Sequence, residues 1–290
     1  MRATISILLG ALLALAGCTF DGEPSELPTI TPVVVVARAA PIAPVSDVVA
    51  EIPFDAGTSP ASGVAVEPVT GRRLLLERDG VVRDLETGDV LWRAVAPQEP
   101  FGFTDVVALG DGQLALTSVS NGFLVELASG SMAMHFCYEP GWFEQMQNDP
   151  IQVSLSLARD AAGGRLYAQP RTIEEGGRGA VTGSFVAAYD EAGGADVAWW
   201  QLPDASLVAG GMIVIEQGAL LLGIGSTLHR FDTASAELTP VIDLAELGIE
   251  SIDGLARDEE AGTILVLDGQ RSRVIELREA AIESEPRESP

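Results

Sequence analysis

Few residues of this chain have the types and spacing that catalysis needs. Only two histidines, His135 and His229, could act as imidazole bases, and every basic residue is an arginine, so no lysine can form a Schiff base. The chain contains no Gly-x-Ser-x-Gly elbow and no Gly-Lys-Ser/Thr phosphate loop. These absences argue against a serine hydrolase and against a P-loop nucleotidase.

One alternating set of residues has metal-binding types. His135, Cys137 and Glu139 would share one face of an extended strand. Three ligands on a straight strand spread over about 13 Å, which is too far apart for one ion unless the chain bends. The pattern therefore favours a strand end with a buried thiol over a metal site.

A second set of small polar and acidic residues stands where apolar runs begin: Ser62, Thr104, Asp105, Ser156 and Asp253. If those runs are strands that begin around a common centre, these side chains line the mouth of a channel. Two carboxylates among them could hold a divalent cation through oxygen ligands. The alternative is a row of small polar groups along a wet channel, with no cofactor.

A repeat predicts the elements that would position these residues. Residues 252–278 contain three short apolar runs joined by turns, about the length of one β-propeller blade. Residues 157–160 repeat the Leu-Ala-Arg-Asp of residues 255–258. Five copies start roughly 42 to 56 residues apart, near the period of propeller blades. At residues 111–112, Asp-Gly between apolar runs predicts a type I′ hairpin turn.

The expected fold is therefore all-β, a single propeller of five to six blades over residues 47–278. The last copy has only three strands, so residues 48–52 are predicted to close the ring as its fourth. A sixth blade could lie in residues 131–149 or within the long third copy. Residues 207–226 are apolar and of membrane-spanning length, but Glu216 at their centre favours two buried strands and a turn.

The N-terminus has the pattern of an export signal. A short apolar run ends in Leu15, Ala16, Gly17 and Cys18, which resembles a bacterial lipobox. The resemblance implies a signal peptide over residues 1–17, cleavage before Cys18, and lipid on Cys18, hence a membrane anchor in the cell envelope. Thr19 follows where the Gram-negative pattern for inner-membrane retention has Asp, which favours the outer membrane.

The segments that flank the repeats differ from them in composition. Residues 18–46 are rich in proline and read as an extended tether, although the β-branched residues 33–36 could instead pair as a strand. Residues 279–290 read as a disordered tail. If Cys18 carries lipid, Cys137 has no disulfide partner, so stability must come from the core.

Charge excludes one class of partner. Asp and Glu total 42 against 17 basic residues, giving a formal net charge of −25. Such a surface opposes binding to nucleic acid, which needs cationic side chains. An acidic protein of this kind stays well solvated.

The last copy also resembles a known group of propellers. Its pattern Gly-Leu-Ala-x-Asp, then Gly-Thr-Ile-Leu-Val-Leu-Asp, then Arg-Val-Ile-Glu-Leu is similar to bacterial NHL-type, gluconolactonase-like and SdiA-regulated-like proteins. Gluconolactonase-like propellers place a metal near the channel mouth, but their glutamate and asparagine ligands cannot be matched to residues here. Residues 80–92 look like one quinoprotein repeat, yet the match occurs only once, so no quinone is expected.

Three further residues are candidates for surface binding. Arg178 lies in residues 171–184, a long glycine-rich excursion of the third copy, and Trp199 and Trp200 would point to opposite faces of a strand. We predict a binding or scaffold protein whose partner is an envelope protein or a small molecule. The alternative is a metal-dependent hydrolase, lactonase or phosphoesterase-like, at the channel mouth.

Overall fold

The computed structural model describes residues 32–40, 42, 45, 47–55, 57, 59–94, 102–118, 121–137, 151–173, 181–192 and 196–280. Three strands precede the repeats: β1 (Val33–Val34), β2 (Val36–Ala37) and β3 (Val48–Pro53). The repeats themselves fold into five antiparallel sheets, the blades.

Each blade is built from consecutive strands. Blade I contains β4 (Ala61–Val66), β5 (Arg73–Glu77), β6 (Val81–Asp84) and β7 (Val90–Arg93). Blade II contains β8 (Phe103–Gly110), β9 (Gln113–Ser118), β10 (Asn121–Glu126) and β11 (Met132–Cys137). Blade III contains β12 (Ile151–Asp160), β13 (Arg165–Ile173), β14 (Val181–Asp190) and β15 (Asp196–Gln201). Blade IV contains β16 (Ala209–Glu216), β17 (Ala219–Ile224), β18 (Thr227–Asp232) and β19 (Glu237–Asp243). Blade V contains β20 (Gly254–Asp258), β21 (Thr263–Asp268) and β22 (Arg273–Arg278).

The blades form a closed ring. The first strand of each blade, β4, β8, β12, β16 or β20, lies innermost and contacts the first strands of both neighbours, and β20 contacts β4. Strand β3 pairs antiparallel with β22, with Ile52 opposite Val274. An early strand therefore completes the last blade, as predicted. The count of five blades is confirmed for the described residues, where no sheet forms a sixth.

The core lies mostly between adjacent blades, which is why the units stack. One cluster joins blades I and II and includes Leu74, Phe103 and Leu116. Another joins blades IV and V and includes Leu221, Ile264 and Ile275. Each twisted sheet thus buries both faces, which a lone blade could not do.

The repeated tetrapeptide occupies equivalent positions in blades III and V. Arg159 pairs with Leu166, as Arg257 pairs with Ile264, on neighbouring strands. Each arginine then forms an ion pair with a glutamate just beyond the third strand, Glu191 at 2.8 Å or Glu279 at 2.7 Å. The aspartate of each tetrapeptide accepts a hydrogen bond from the following turn. These shared contacts explain why the motif recurs.

The turn between β8 and β9 has the predicted geometry. Asp111 and Gly112 both have positive φ, 52° and 74°, as a type I′ turn requires. Aspartate tolerates this left-handed region because its short polar side chain can bond locally, whereas a β-branched residue cannot adopt it without strain.

We therefore expect Asp111→Val to lower the free energy of unfolding by about 1 to 2 kcal/mol. Asparagine is compatible with the same backbone, so Asp111→Asn is the matched control and should change it by less than about 0.5 kcal/mol. Urea denaturation of both variants measures the difference. Equal values for the two would contradict the assigned turn.

The structure also resolves two alternatives that the sequence left open. The apolar residues 207–226 lie largely in β16 and β17 and the turn between them. Among the described residues, none of the helices has the length and apolarity to span a bilayer. Of the two interpretations of residues 33–36, the structure shows strands: β1 pairs parallel with β15, and β2 pairs parallel with β19.

Candidate functional site

A cavity of about 530 Å³ opens at the end of the propeller where the innermost strands begin. We call it the mouth cavity. Its walls come from blades I, II and IV and from the links that precede blades IV and V: Ala61, Ser62, Arg78, Thr104, Ser206, Val208, Gly210, Ile224, Gly225, Ser251, Ile252 and Asp253. Its volume is within the range of small-molecule sites.

The topology explains which segments meet here. Inner strands start at this end, which places Ser62, Thr104 and Asp253 at the cavity. Second strands run antiparallel to them and so finish at the same end, which brings Arg78 from the end of β5. The chain also returns to this end between blades, which brings Ser206 and Ser251.

Arg78 is the cationic residue of the mouth cavity. Its backbone is fixed on both sides, because its N–H donates to Pro60 O at 2.9 Å and its carbonyl accepts from Phe103 N at 2.8 Å. Gly102 lies so close that a Cβ there would be 2.5 Å from Arg78 Cγ. Among the described residues, the Arg78 guanidinium makes neither an ion pair nor a hydrogen bond. It remains exposed and available.

Asp253 is the anionic residue of the mouth cavity and is half-buried. One carboxylate oxygen, Oδ2, accepts the N–H of Gly269 at 2.9 Å. Burial raises the pKa of Asp253 above its usual value, and the charge of Asp268 adds to this, whereas the Gly269 N–H and the Arg78 guanidinium act in the opposite direction. Arg78 and Asp253 thus interact electrostatically, but they do not form a direct ion pair.

Ser62 adds a polar group without a partner in the described structure. The residue is 5% exposed. Its Oγ is buried and makes no hydrogen bond. A buried hydroxyl in this state costs free energy, and its Oγ has no surface that a molecule in the cavity could contact. The charged groups of the cavity are therefore the cation on its blade I side and the carboxylate that precedes blade V.

Two of the five predicted mouth residues are instead structural. Asp105 is fully buried and does not line the cavity. Its two oxygens accept the N–H groups of Val106 and Leu157, each at 2.8 Å, so the side chain links blades II and III. Ser156 is also fully buried and outside the cavity lining. Successive side chains of an inner strand point to opposite faces, so these two side chains lie in the contacts between blades.

The expected pair of carboxylates is therefore not assembled, because Asp253 lines the cavity and Asp105 does not. In the described part of the chain, no group of three or more His, Cys, Asp or Glu residues is arranged to hold a metal ion. His135 Nε2 lies 2.7 Å from Glu191 O. Glu139 falls outside the described residues.

The tryptophan expectation is wrong for Trp200. Trp200 is 7% exposed, and its indole N–H donates to Thr233 O at 3.1 Å. Its ring packs edge-on against Phe231 with centroids 5.8 Å apart, because the second face of this strand meets the next blade. Trp199 is half-buried and packs edge-on against Phe185. Arg178 falls outside the described residues.

Sequence reasoning missed Arg78, Ser206 and Ser251. Arg78 precedes Asp79-Gly80, which reads only as a turn, and one arginine among 17 basic residues carries no signal of its own. The topology offered a clue, since ends of second strands lie beside starts of first strands. The two serines lie in irregular links, whose path a repeat pattern does not specify.

Comparisons with known proteins give matches among solved structures only. No protein-family model matches the chain, and no curated protein matches it. Among solved structures, the chain is similar to a chain of a nidogen/laminin complex, with 9% sequence identity and a TM-score of 0.47. That match covers 77% of this chain and 81% of the other.

Proposed function

We propose that the protein is a lipid-anchored β-propeller of the bacterial cell envelope that works by binding a ligand in the mouth cavity. The observation that carries the binding role is that two charged groups line one cavity. One is the Arg78 guanidinium, which makes no ion pair or hydrogen bond among the described residues, and the other is the half-buried carboxylate of Asp253. A rigid scaffold that holds a few polar groups around a partly apolar cavity is typical of ligand sites.

Anchorage rests on the sequence of the first residues. Leu15, Ala16 and Gly17 before Cys18 imply processing to a lipid-modified N-terminal cysteine, and several acyl chains give stable membrane attachment. Mass spectrometry of the protein purified from membranes would show a diacylglyceryl mass on Cys18. The matched variant Cys18→Ala should be recovered unmodified, and an unmodified wild-type Cys18 would overturn the anchor.

The binding role is tested with the whole protein and an extract of the envelope. We expect native mass spectrometry to detect a small molecule retained by the wild type and lost, by at least about tenfold in occupancy, in the double variant Arg78→Gln/Asp253→Asn. The control is Arg93→Gln/Asp89→Asn, which makes the same charge changes at exposed residues at the outer edge of blade I. Turnover of a lactone or phosphate ester, with a stoichiometric divalent ion, would favour the hydrolase alternative instead.

A further inference from the structure

The two charged groups of the mouth cavity point to a particular ligand class. We propose that the cavity binds a small zwitterion of the amino-acid type, with its carboxylate at Arg78 and its ammonium group at Asp253. This inference rests on the proposed binding role and deepens it by naming the chemistry of the ligand.

In the mouth cavity, the cationic and the anionic side chain are separated and not joined in an ion pair. Several other arginines in the described part of the chain lie directly against a carboxylate, for example Arg159 at 2.8 Å from Glu191. Arg78 has no such contact in the described structure, yet its charge acts on Asp253 across the cavity. A ligand with one positive and one negative charge can pair with both residues at once. A ligand with a single charge would leave either Arg78 or Asp253 without a partner of opposite charge.

Both charged groups of the mouth cavity have hydrogen-bonding positions left for a ligand. A carboxylate has about four acceptor positions, and the Asp253 carboxylate interacts with the backbone N–H groups of Gly269 and Gln270. About two positions are therefore left to accept from an ammonium group. On the blade I side, the guanidinium of Arg78 presents a planar fork that fits a carboxylate.

The charge of the whole protein also favours a ligand without net charge. A formal net charge of −25 disfavours the approach of an anion, and one arginine does little against that field. A zwitterion carries no net charge, so the field does not oppose its entry. Val208, Ile224 and Ile252 also line the mouth cavity and provide an apolar wall for an aliphatic side chain.

The test uses the mature protein and the individual L-amino acids as probes. We expect at least one of them to bind in isothermal titration calorimetry and to raise the midpoint of thermal unfolding. Its methyl ester, which lacks the carboxylate charge, and its N-acetyl derivative, which lacks the ammonium charge, should each bind at least about tenfold more weakly.

Two single variants assign the ends of the ligand. Arg78→Gln should weaken binding of the amino acid and leave the affinity for its methyl ester nearly unchanged. Asp253→Asn should also weaken binding of the amino acid and leave the affinity for the N-acetyl derivative nearly unchanged. Arg93→Gln and Asp89→Asn are controls that should bind as the wild type does. Unfolding midpoints close to that of the wild type would show that each variant folds.

The outcomes separate this inference from the broader proposal. If no amino acid binds but an extract molecule without a carboxylate and an ammonium group is retained, the zwitterion inference fails and the binding role stands. If the ester and N-acetyl forms bind as tightly as the parent, the inference also fails. If neither amino acids nor extract molecules bind, the proposed function itself fails.

Discussion

Asp105→Ala is expected to lower the free energy of unfolding by at least about 2 kcal/mol. The side chain is fully buried and accepts two backbone N–H groups, one from its own blade at Val106 and one from blade III at Leu157. Truncation leaves two buried donors without an acceptor, and each such donor costs about 1 to 3 kcal/mol. Relief of the buried charge offsets only part of this.

Asp253→Ala is the matched control for Asp105→Ala. It removes the same kind of acceptor, a carboxylate bonded to the backbone N–H of Gly269, but from a half-buried position where water can replace it. We expect a loss of about 1 kcal/mol from this change. Urea denaturation measures both variants, and a loss at position 105 no larger than at position 253 would contradict the structural role of Asp105.

Asp105 also makes a pH-dependent contribution with a definite sign. Burial raises the pKa of Asp105 well above its usual value of 3.8, although the Leu157 and Val106 N–H groups favour the charged form. The folded protein therefore holds this proton more tightly than the unfolded chain does. Stability from this group is fully present below 3.8 and falls as pH rises through the raised pKa.

Comparison with Asp105→Asn isolates that contribution. The stability of the wild type relative to Asp105→Asn should decrease from about pH 4 upward and become constant once Asp105 is ionised. Urea midpoints of the two proteins across this range give the difference directly. A difference that increases with pH would mean that the folded state favours the carboxylate, contrary to the burial of this residue.

Asp105 and Asp253 also show where sequence reasoning succeeds and where it stops. The repeat placed both residues at starts of inner strands, because alternation and turn glycines are local signals. It also predicted the closing strand β3, because the last copy has only three strands of its own. Whether such a residue faces the cavity or the next blade depends on register and on small bulges. One such irregularity separates Phe103 from Asp105 on β8.

The N-terminal segment was ambiguous for a different reason. Its composition suits a tether, and its valines suit a strand, so only the partner decides between them. In the structure, β1, β2 and β3 follow the rim of the propeller over blades III, IV and V in chain order. We call residues 32–38 the strap. The partners that select the strand form lie far away in sequence, where no local pattern reveals them.

Val35→Asp is expected to release the strap from the rim. Val35 is 2% exposed and packs in one cluster with Trp200, Phe231 and Leu238. The strap also donates three backbone hydrogen bonds, from Val35 to Gln201 O, from Val36 to Ala236 O and from Arg38 to Leu238 O. Burial of a valine stabilises by about 1.5 to 3 kcal/mol, and a buried unpaired carboxylate would cost more than that.

The strap can detach without opening the ring, because the closing strand β3 begins later, at Val48. This limits the loss of stability to the free energy that holds the strap, about 2 to 3 kcal/mol. Val36→Asp is the matched control, since Val36 is the next residue and is 57% exposed. It should change the free energy of unfolding by less than about 0.5 kcal/mol.

Limited proteolysis and urea denaturation distinguish release from global unfolding. In Val35→Asp, we expect rapid cleavage within residues 32–47, while the five blades stay protected and Trp200 becomes more accessible to quenchers. Release of the strap would also expose the apolar cluster around Trp200 and Leu238. The variant should therefore self-associate at concentrations where Val36→Asp stays monomeric. Equal proteolysis of the two variants would mean that Val35 does not hold the strap.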